Sequence, residues 1–127
     1  MEQSNQELAV QLINATNLIG IKAGMERETF TNIWMVAVGN RIFARSWSFA
    51  EKSWYNTFLT EPIGYLQCGE RQFQIKADIP EDSSDLSAAI NVAYLKKYNH
   101  GKNSKYATGI TAQKHVEKTM EFSVISK

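Results

Sequence analysis

Hydrophobic positions in this chain fall into two rhythms: helical recurrence near the start and after residue 83, and alternation over most of the stretch between. Ser4-Asn5-Gln6-Glu7 has capping-box spacing. Leu8, Leu12 and Ala15, widened by Val10 and Ile13, then predict a helix that Gly20 stops with a left-handed residue. Ile19, Ile21 and Ala23 alternate with Gly20, Lys22 and Gly24 in an extended run, and Met25 to Thr29 form a polar turn. Thr31 to Val38 is dense in β-branched and aromatic residues, and Gly39-Asn40 are hairpin-turn residues, so Arg41 to Ser48 should return antiparallel to it.

Trp54 with Phe58, and Tyr55 with Leu59, stand four apart and give Ala50 to Leu59 a helical stripe closed by Pro62. Ile63 to Cys68 and Arg71 to Asp78 read as a second hairpin around Gly69-Glu70, with Phe73, Ile75 and Ala77 on one face. After a turn at Ile79 to Ser83, a helix over 83–99 buries Leu86, Ala89, Ile90, Ala93, Tyr94 and Leu95. A polar loop, a short helix from Thr111 to Val116 and a final strand over 118–126 complete the pass. The fold class this predicts is mainly β with α: a split β-barrel of about six antiparallel strands with capping helices, in a single domain over 1–127 that opens with an N-terminal helical segment over 1–19.

Composition narrows the function classes. At 127 residues the chain is long enough for one hydrophobic core without staples. Fourteen Lys and Arg against 13 Asp and Glu leave a net charge of +1, so nucleic acid is not an expected partner. The stretch Lys96, Lys97, His100, Lys102 and Lys105, interleaved with tyrosines, is read as lysines at a helix C-terminus, with phosphate or single-strand binding as its sharper alternative. One cysteine and two well-separated histidines give no metal-ligand set. No leader pattern or apolar run of membrane-spanning length is present, so the expected location is cytoplasmic, away from membranes.

The run Lys52-Ser53-Trp54-Tyr55-Asn56-Thr57-Phe58-Leu59-Thr60-Glu61-Pro62-Ile63-Gly64-Tyr65-Leu66-Gln67-Cys68-Gly69 resembles the W-x-N, Pro, strand, Gly pattern of split-barrel flavin and deazaflavin oxidoreductases. Lys22-Ala23-Gly24-Met25-Glu26-Arg27 resembles their Lys-Ser-Gly-x-x-Arg turn, with Ala23 in place of the hydroxyl residue. From Ile21 to Ile125 the chain is also similar to an uncharacterised family, domain of unknown function 2255, through Arg45-Ser46, Trp54, Ala93-Tyr94-Leu95-Lys96-Lys97-Tyr98 and Thr119 onward. The resemblance implies a flavin-type, phosphate-bearing cofactor such as FMN or a deazaflavin, a homodimer, and, if the protein is an enzyme, oxidoreductase activity.

In that reading Arg45, Ser46, Lys22 and Arg27 grip phosphate while Trp47 and Trp54 shape a ring pocket, because a guanidinium can fork two phosphate oxygens and flat side chains pack on a ring. The plainer reading leaves Arg45 as a solvated or ion-paired barrel residue and the tryptophans, Trp34 among them, as core. Cys68 reads as a passive small residue, and His100 and His115 as surface residues with no triad partners. A non-catalytic barrel that binds another small ligand or a protein partner is the alternative function.

Overall fold

The computed structural model describes residues 4–24, 29–46, 54–98, 109–111 and 118–125, the side chains of 83 and 84 apart. Helix α1 (Asn5–Ala15) begins at Ser4, whose side chain accepts from the Glu7 N–H at 3.1 Å. It ends at Thr16 and not at Gly20, which lies inside strand β1 (Ile19–Ala23), where an added Cβ would meet Phe30 at 3.1 Å. The buried face of α1 is Ala9 and Ile13, flanked by Leu8, Val10 and Leu12; Ala15 is exposed.

The expected strand from Thr31 to Val38 is two strands, β2 (Thr31–Ile33) and β3 (Val36–Val38), separated by Trp34 and Met35. Each pairs with a different neighbour. β2 joins β1, whereas β3 turns through Gly39, at φ +61°, into β4 (Arg41–Arg45). The second hairpin, β5 (Ile63–Cys68) and β6 (Arg71–Asp78), forms as its alternation predicts, around Gly69 at φ +60°. The last strand is β7 (Thr119–Val124). Helix α2 covers Trp54–Thr60 and α3 covers Ser83–Tyr98; residues 50–53 and 112–116, parts of the expected second and short helices, lie outside the described residues.

All described pairings are antiparallel, in the order β2-β1-β5-β6-β7-β4-β3, so the sheet has seven strands where about six were expected. This order forces curvature. The two edge strands are consecutive in the chain, and from Ile33 to Val36 the backbone reaches at most about 11 Å. Laid flat, seven strands would hold their edges about 29 Å apart. The sheet therefore curls into a half-barrel, the architecture of a split barrel.

Inside the curl, Ile19, Ile21, Ile42, Ala44, Leu66, Phe73, Ile75, Met120 and Phe122 pack with Ala9 and Ile13 of α1 and with Trp54, Tyr55 and Phe58 of α2. Outside it, Val36 and Phe43 pack beneath Ile90, Tyr94 and Tyr98 of α3 and Ile110. Ala89, expected on the buried side of α3, is exposed.

The break at Trp34 and Met35 removes two residues from the sheet ladder, and their backbone groups need other partners. Helix α3 supplies them for the Trp34 carbonyl and for both groups of Met35. The Tyr98 hydroxyl accepts from the Met35 N–H at 3.0 Å, with the carbonyls of Asn17 at 2.7 Å and Met35 at 3.1 Å to receive its proton. Lys97 Nζ donates to the carbonyls of Met35 at 2.7 Å and Ile13 at 2.6 Å, the latter in the last turn of α1. The Tyr94 hydroxyl donates to the Trp34 carbonyl at 3.4 Å and accepts from the Arg45 N–H at 2.8 Å. These residues, at i, i+3 and i+4, share one helix face. Lys97 is thus half-buried in the seam and neutralises the end of a different helix from its own.

Gly64 marks a second close approach, since a Cβ there would stand 2.1 Å from the Lys22 carbonyl oxygen and 2.9 Å from the Phe58 ring. Gly64→Ala is expected to lower the unfolding free energy by about 1–3 kcal/mol. Tyr98→Phe keeps the ring but strands the Met35 N–H, at a cost of about 1–3 kcal/mol. Urea denaturation measures both; an unchanged midpoint for Tyr98→Phe would show that the seam does not depend on that hydroxyl.

Candidate functional site

Arg41, Phe43 and Arg45 share the outer face of β4, opposite Ile42 and Ala44, which point into the curl. The two arginines meet opposite environments. Arg41 Nε and Nη2 donate to Glu121 at 2.9 and 2.8 Å, and Nη1 and Nη2 donate to Asp82 at 2.9 and 3.1 Å. Its side chain is 39% exposed, and it holds the Asp82 carboxyl below the usual carboxylate range through that hydrogen bond.

Arg45 is 2% exposed and has no carboxylate partner among the described residues. Its Nε donates to Thr119 Oγ1 at 3.2 Å, Nη1 to Asn91 Oδ1 and to the Ile110 carbonyl at 3.2 Å, and Nη2 to the Ser87 carbonyl at 3.3 Å. The Tyr94 ring lies 5.6 Å beneath the guanidinium. Burial pulls this guanidinium below its ordinary value, with electrostatic attraction to Tyr94 acting the other way. Arg45 is therefore neither solvated nor, among the described residues, ion-paired.

The same residue lines a cleft of about 320 Å³ with Leu18, Thr31, Asn32, Ile33, Trp34 and Trp54. The cleft arises where the curl splits: β2 leaves toward β1, the end of β4 pairs with β7, and Trp54 at the start of α2 forms one wall. Trp34 forms another wall and is held in place by a stack on Tyr98, with ring centroids 4.3 Å apart and planes 7° from parallel. Trp54 is fixed edge-on against Tyr55 and Phe58 and tilted against Phe122. Two packed indoles, the buried cationic residue Arg45 and the polar residues Thr31 and Asn32 thus line one hollow, an arrangement suited to a flat, polar-edged molecule.

Of the residues expected in the site, Arg45 and Trp54 come together in this cleft. Lys22 does not join them: its Nζ lies 4.5 Å from the Phe30 ring centroid and 5.2 Å from that of Tyr65, and it is not among the cleft-lining residues. Ser46 follows the last residue of β4, fully buried, with its N–H donating to the Lys118 carbonyl at 3.2 Å, and is not among the cleft-lining residues. Arg27, Trp47, His100 and His115 lie outside the described residues. Trp34, Thr31 and Asn32 were not expected in the site, because the run 31–38 reads as an unbroken strand. Asn91 and Ser87, which hold the guanidinium, carry no signal beyond lying four apart on one helix face.

Cys68, the single cysteine, is buried at the end of β5, and burial pushes its thiol up to about 11. The nearest opposing influence is Lys97, whose amine burial pulls down to about 8. A thiol raised in the folded state contributes stability that is full below its unfolded value near 9 and is lost as pH climbs through 11. Cys68 is expected to react with a thiol reagent only as fast as the protein unfolds, and Cys68→Ala should lessen the fall in stability between pH 9 and 11. Rapid labelling of the native protein would contradict this.

The model of a family described as uncharacterised proteins conserved in bacteria, DUF2255, matches residues 10–122. Among curated proteins, none matches the chain. Among solved structures, the chain is similar to the crystal structure of a conserved hypothetical protein from Mycobacterium tuberculosis, at 15% identity and a TM-score of 0.60, covering 100% of this chain and 82% of that one. At that identity the likeness speaks to fold alone. Among the described residues, no helix is long and apolar enough to cross a membrane.

Proposed function

Since the chain belongs to the DUF2255 family of uncharacterised bacterial proteins, its function has to be read from its own cleft, and we propose that it binds a flat, ring-bearing small molecule between Trp34 and Trp54, with a flavin-type, phosphate-bearing cofactor as the candidate. The observation that carries this reading is a cleft lined by two tryptophans together with Arg45, a buried cationic residue. A volume of about 320 Å³ lies at the low end of ligand clefts, roughly 300–1,000 Å³, and suits one ring system better than a dinucleotide. Trp34, Trp54, Ile33 and Leu18 supply apolar walls, and Thr31 and Asn32 supply polar groups for a ring edge. When bound, such a cofactor supplies redox chemistry itself, which would make the protein an oxidoreductase; the chain's part is to orient the ring and exclude water.

A second reading rests on the same guanidinium. Its described donations all go to protein acceptors, so forking a phosphate requires breaking some of them, and Lys22 is not at hand to substitute. That favours a non-catalytic binder of another small ligand, for which Arg45 provides charge more than hydrogen bonds. The homodimer implied by the family resemblance stays part of the proposal, and native mass spectrometry at twice 14.4 kDa is its test.

Freshly purified protein is expected to absorb in the flavin bands or to gain thermal stability on addition of FMN, because a ligand held only by the folded state raises its melting temperature. Trp34→Ala should weaken that binding roughly tenfold, the scale of one aromatic contact of about 1–1.5 kcal/mol. Colourless protein whose melting is unmoved by FMN and by a deazaflavin would end the flavin reading. FMN binding that ignores Trp34→Ala would move the ligand out of this cleft.

A further inference from the structure

Charge is distributed unevenly along β4. At one end of the strand, Arg41 is half-exposed, where water already screens it, and it nevertheless has two carboxylates, Asp82 and Glu121. At the other end, Arg45 is 2% exposed and its acceptors are a hydroxyl, an amide oxygen and two backbone carbonyls. The need is greater at the end where no carboxylate stands among the described residues, since an unpaired buried cation is far costlier than an exposed one. Neutral dipoles lower that cost without cancelling the charge.

Asn91 is where cancellation would be easiest. It lies on α3 facing β4, and its Oδ1 is the one side-chain amide acceptor among the described Arg45 donations. An aspartate there has the same shape and nearly the same helix propensity, and it would turn a neutral hydrogen bond into a charge-assisted one of about twice the strength. The asparagine thus leaves Arg45, a residue that lines the cleft, without a counter-charge among the described residues. We infer that Asn91 is the residue that keeps the cleft cationic, and that the cleft selects flat-ring ligands carrying an anionic oxygen group, carboxylate or phosphate, whose charge completes the Arg45 network. Asn91 acts through Arg45 and is a positioning and specificity residue. The inference rests on the small-molecule reading of this cleft and adds to it the residue that makes the ligand's charge a condition of binding.

The test compares the intact chain with its Asn91→Asp variant, using matched probes: FMN against riboflavin, and benzoate against benzamide. Within each pair the ring is the same and the charge differs. Wild-type protein is expected to prefer a charged probe over its neutral partner by about tenfold or more, and the variant to lose that preference. Without any probe, Asn91→Asp should melt higher than wild type, because it supplies the missing counter-charge. That gain should vanish as pH falls below about 4, where the new carboxylate, depressed by Arg45, takes up its proton.

A variant that melts lower, or fails to fold, would show that the guanidinium is already balanced and would overturn the inference whatever the probes do. Equal binding of charged and neutral partners in both proteins would overturn it too, while leaving the cleft as a ligand site. If neither member of either pair binds wild type, the small-molecule reading itself fails and takes the charge selection with it.

Discussion

The fold turns on the hydrogen bonds that three side chains of one helix make to a two-residue break in a strand. Trp34 and Met35 leave the ladder so that β2 can pair on one side of the curl and β3 on the other. Such a break in a buried segment is costly unless every freed N–H and C=O is met. Tyr94, Lys97 and Tyr98 meet the Trp34 carbonyl and both backbone groups of Met35, and the same helix reaches Ile13 and Asn17, so α1, the entry to β1 and the seam are tied to one helix face. With the seam held, the sheet bends around α1 and α2 instead of continuing flat.

The candidate site is a consequence of that closure. Because the chain crosses from one edge of the sheet to the other at residue 34, β2 diverges from the end of β4, and the gap between them is walled by the tryptophan at the crossing and by Trp54. Tyr94 belongs to both structures: one hydroxyl binds the Trp34 carbonyl and the Arg45 backbone N–H, so the backbone at Arg45 is held by the same hydroxyl that meets the seam. Packing, seam and cleft are coupled through a single helix. A change to α3 should therefore be felt at the cleft even where it touches no lining residue.

Much of this was legible from residue order, and what was not has identifiable causes. The hairpin of residues 63–78 alternates cleanly because one face is buried, and Gly69 at its turn needs positive φ. Ser4 announced the start of α1, yet Gly20 misled about its end, because a glycine chosen for a close approach to Phe30 looks the same in sequence as a helix stop. The strand break is silent, since Trp34 and Met35 are as suited to a strand as their neighbours and the compensation comes from about sixty residues away. The Ala-Tyr-x-x-Lys-Tyr pattern was visible as a family resemblance, but its physical meaning, a set of hydroxyl and ammonium groups for a distant backbone, required the fold. Arg45 and Trp54, singled out for chemistry suited to a ring and an anion, line one cleft. Lys22, chosen by the same argument, faces Phe30 and Tyr65 instead, because alternation along β1 turns it away from the curl.

Native-state amide hydrogen exchange at Met35 tests the closure of the barrel by α3 most directly. The Met35 N–H lies outside every strand pair, and its protection can come only from the Tyr98 hydroxyl and the packing above it. The account predicts that it exchanges as slowly as core strand amides such as those of Phe43 and Ile75, through global unfolding. Exchange at the rate of a surface loop, with the strands around it still protected, would show that the seam stands open and that the barrel is held by something else.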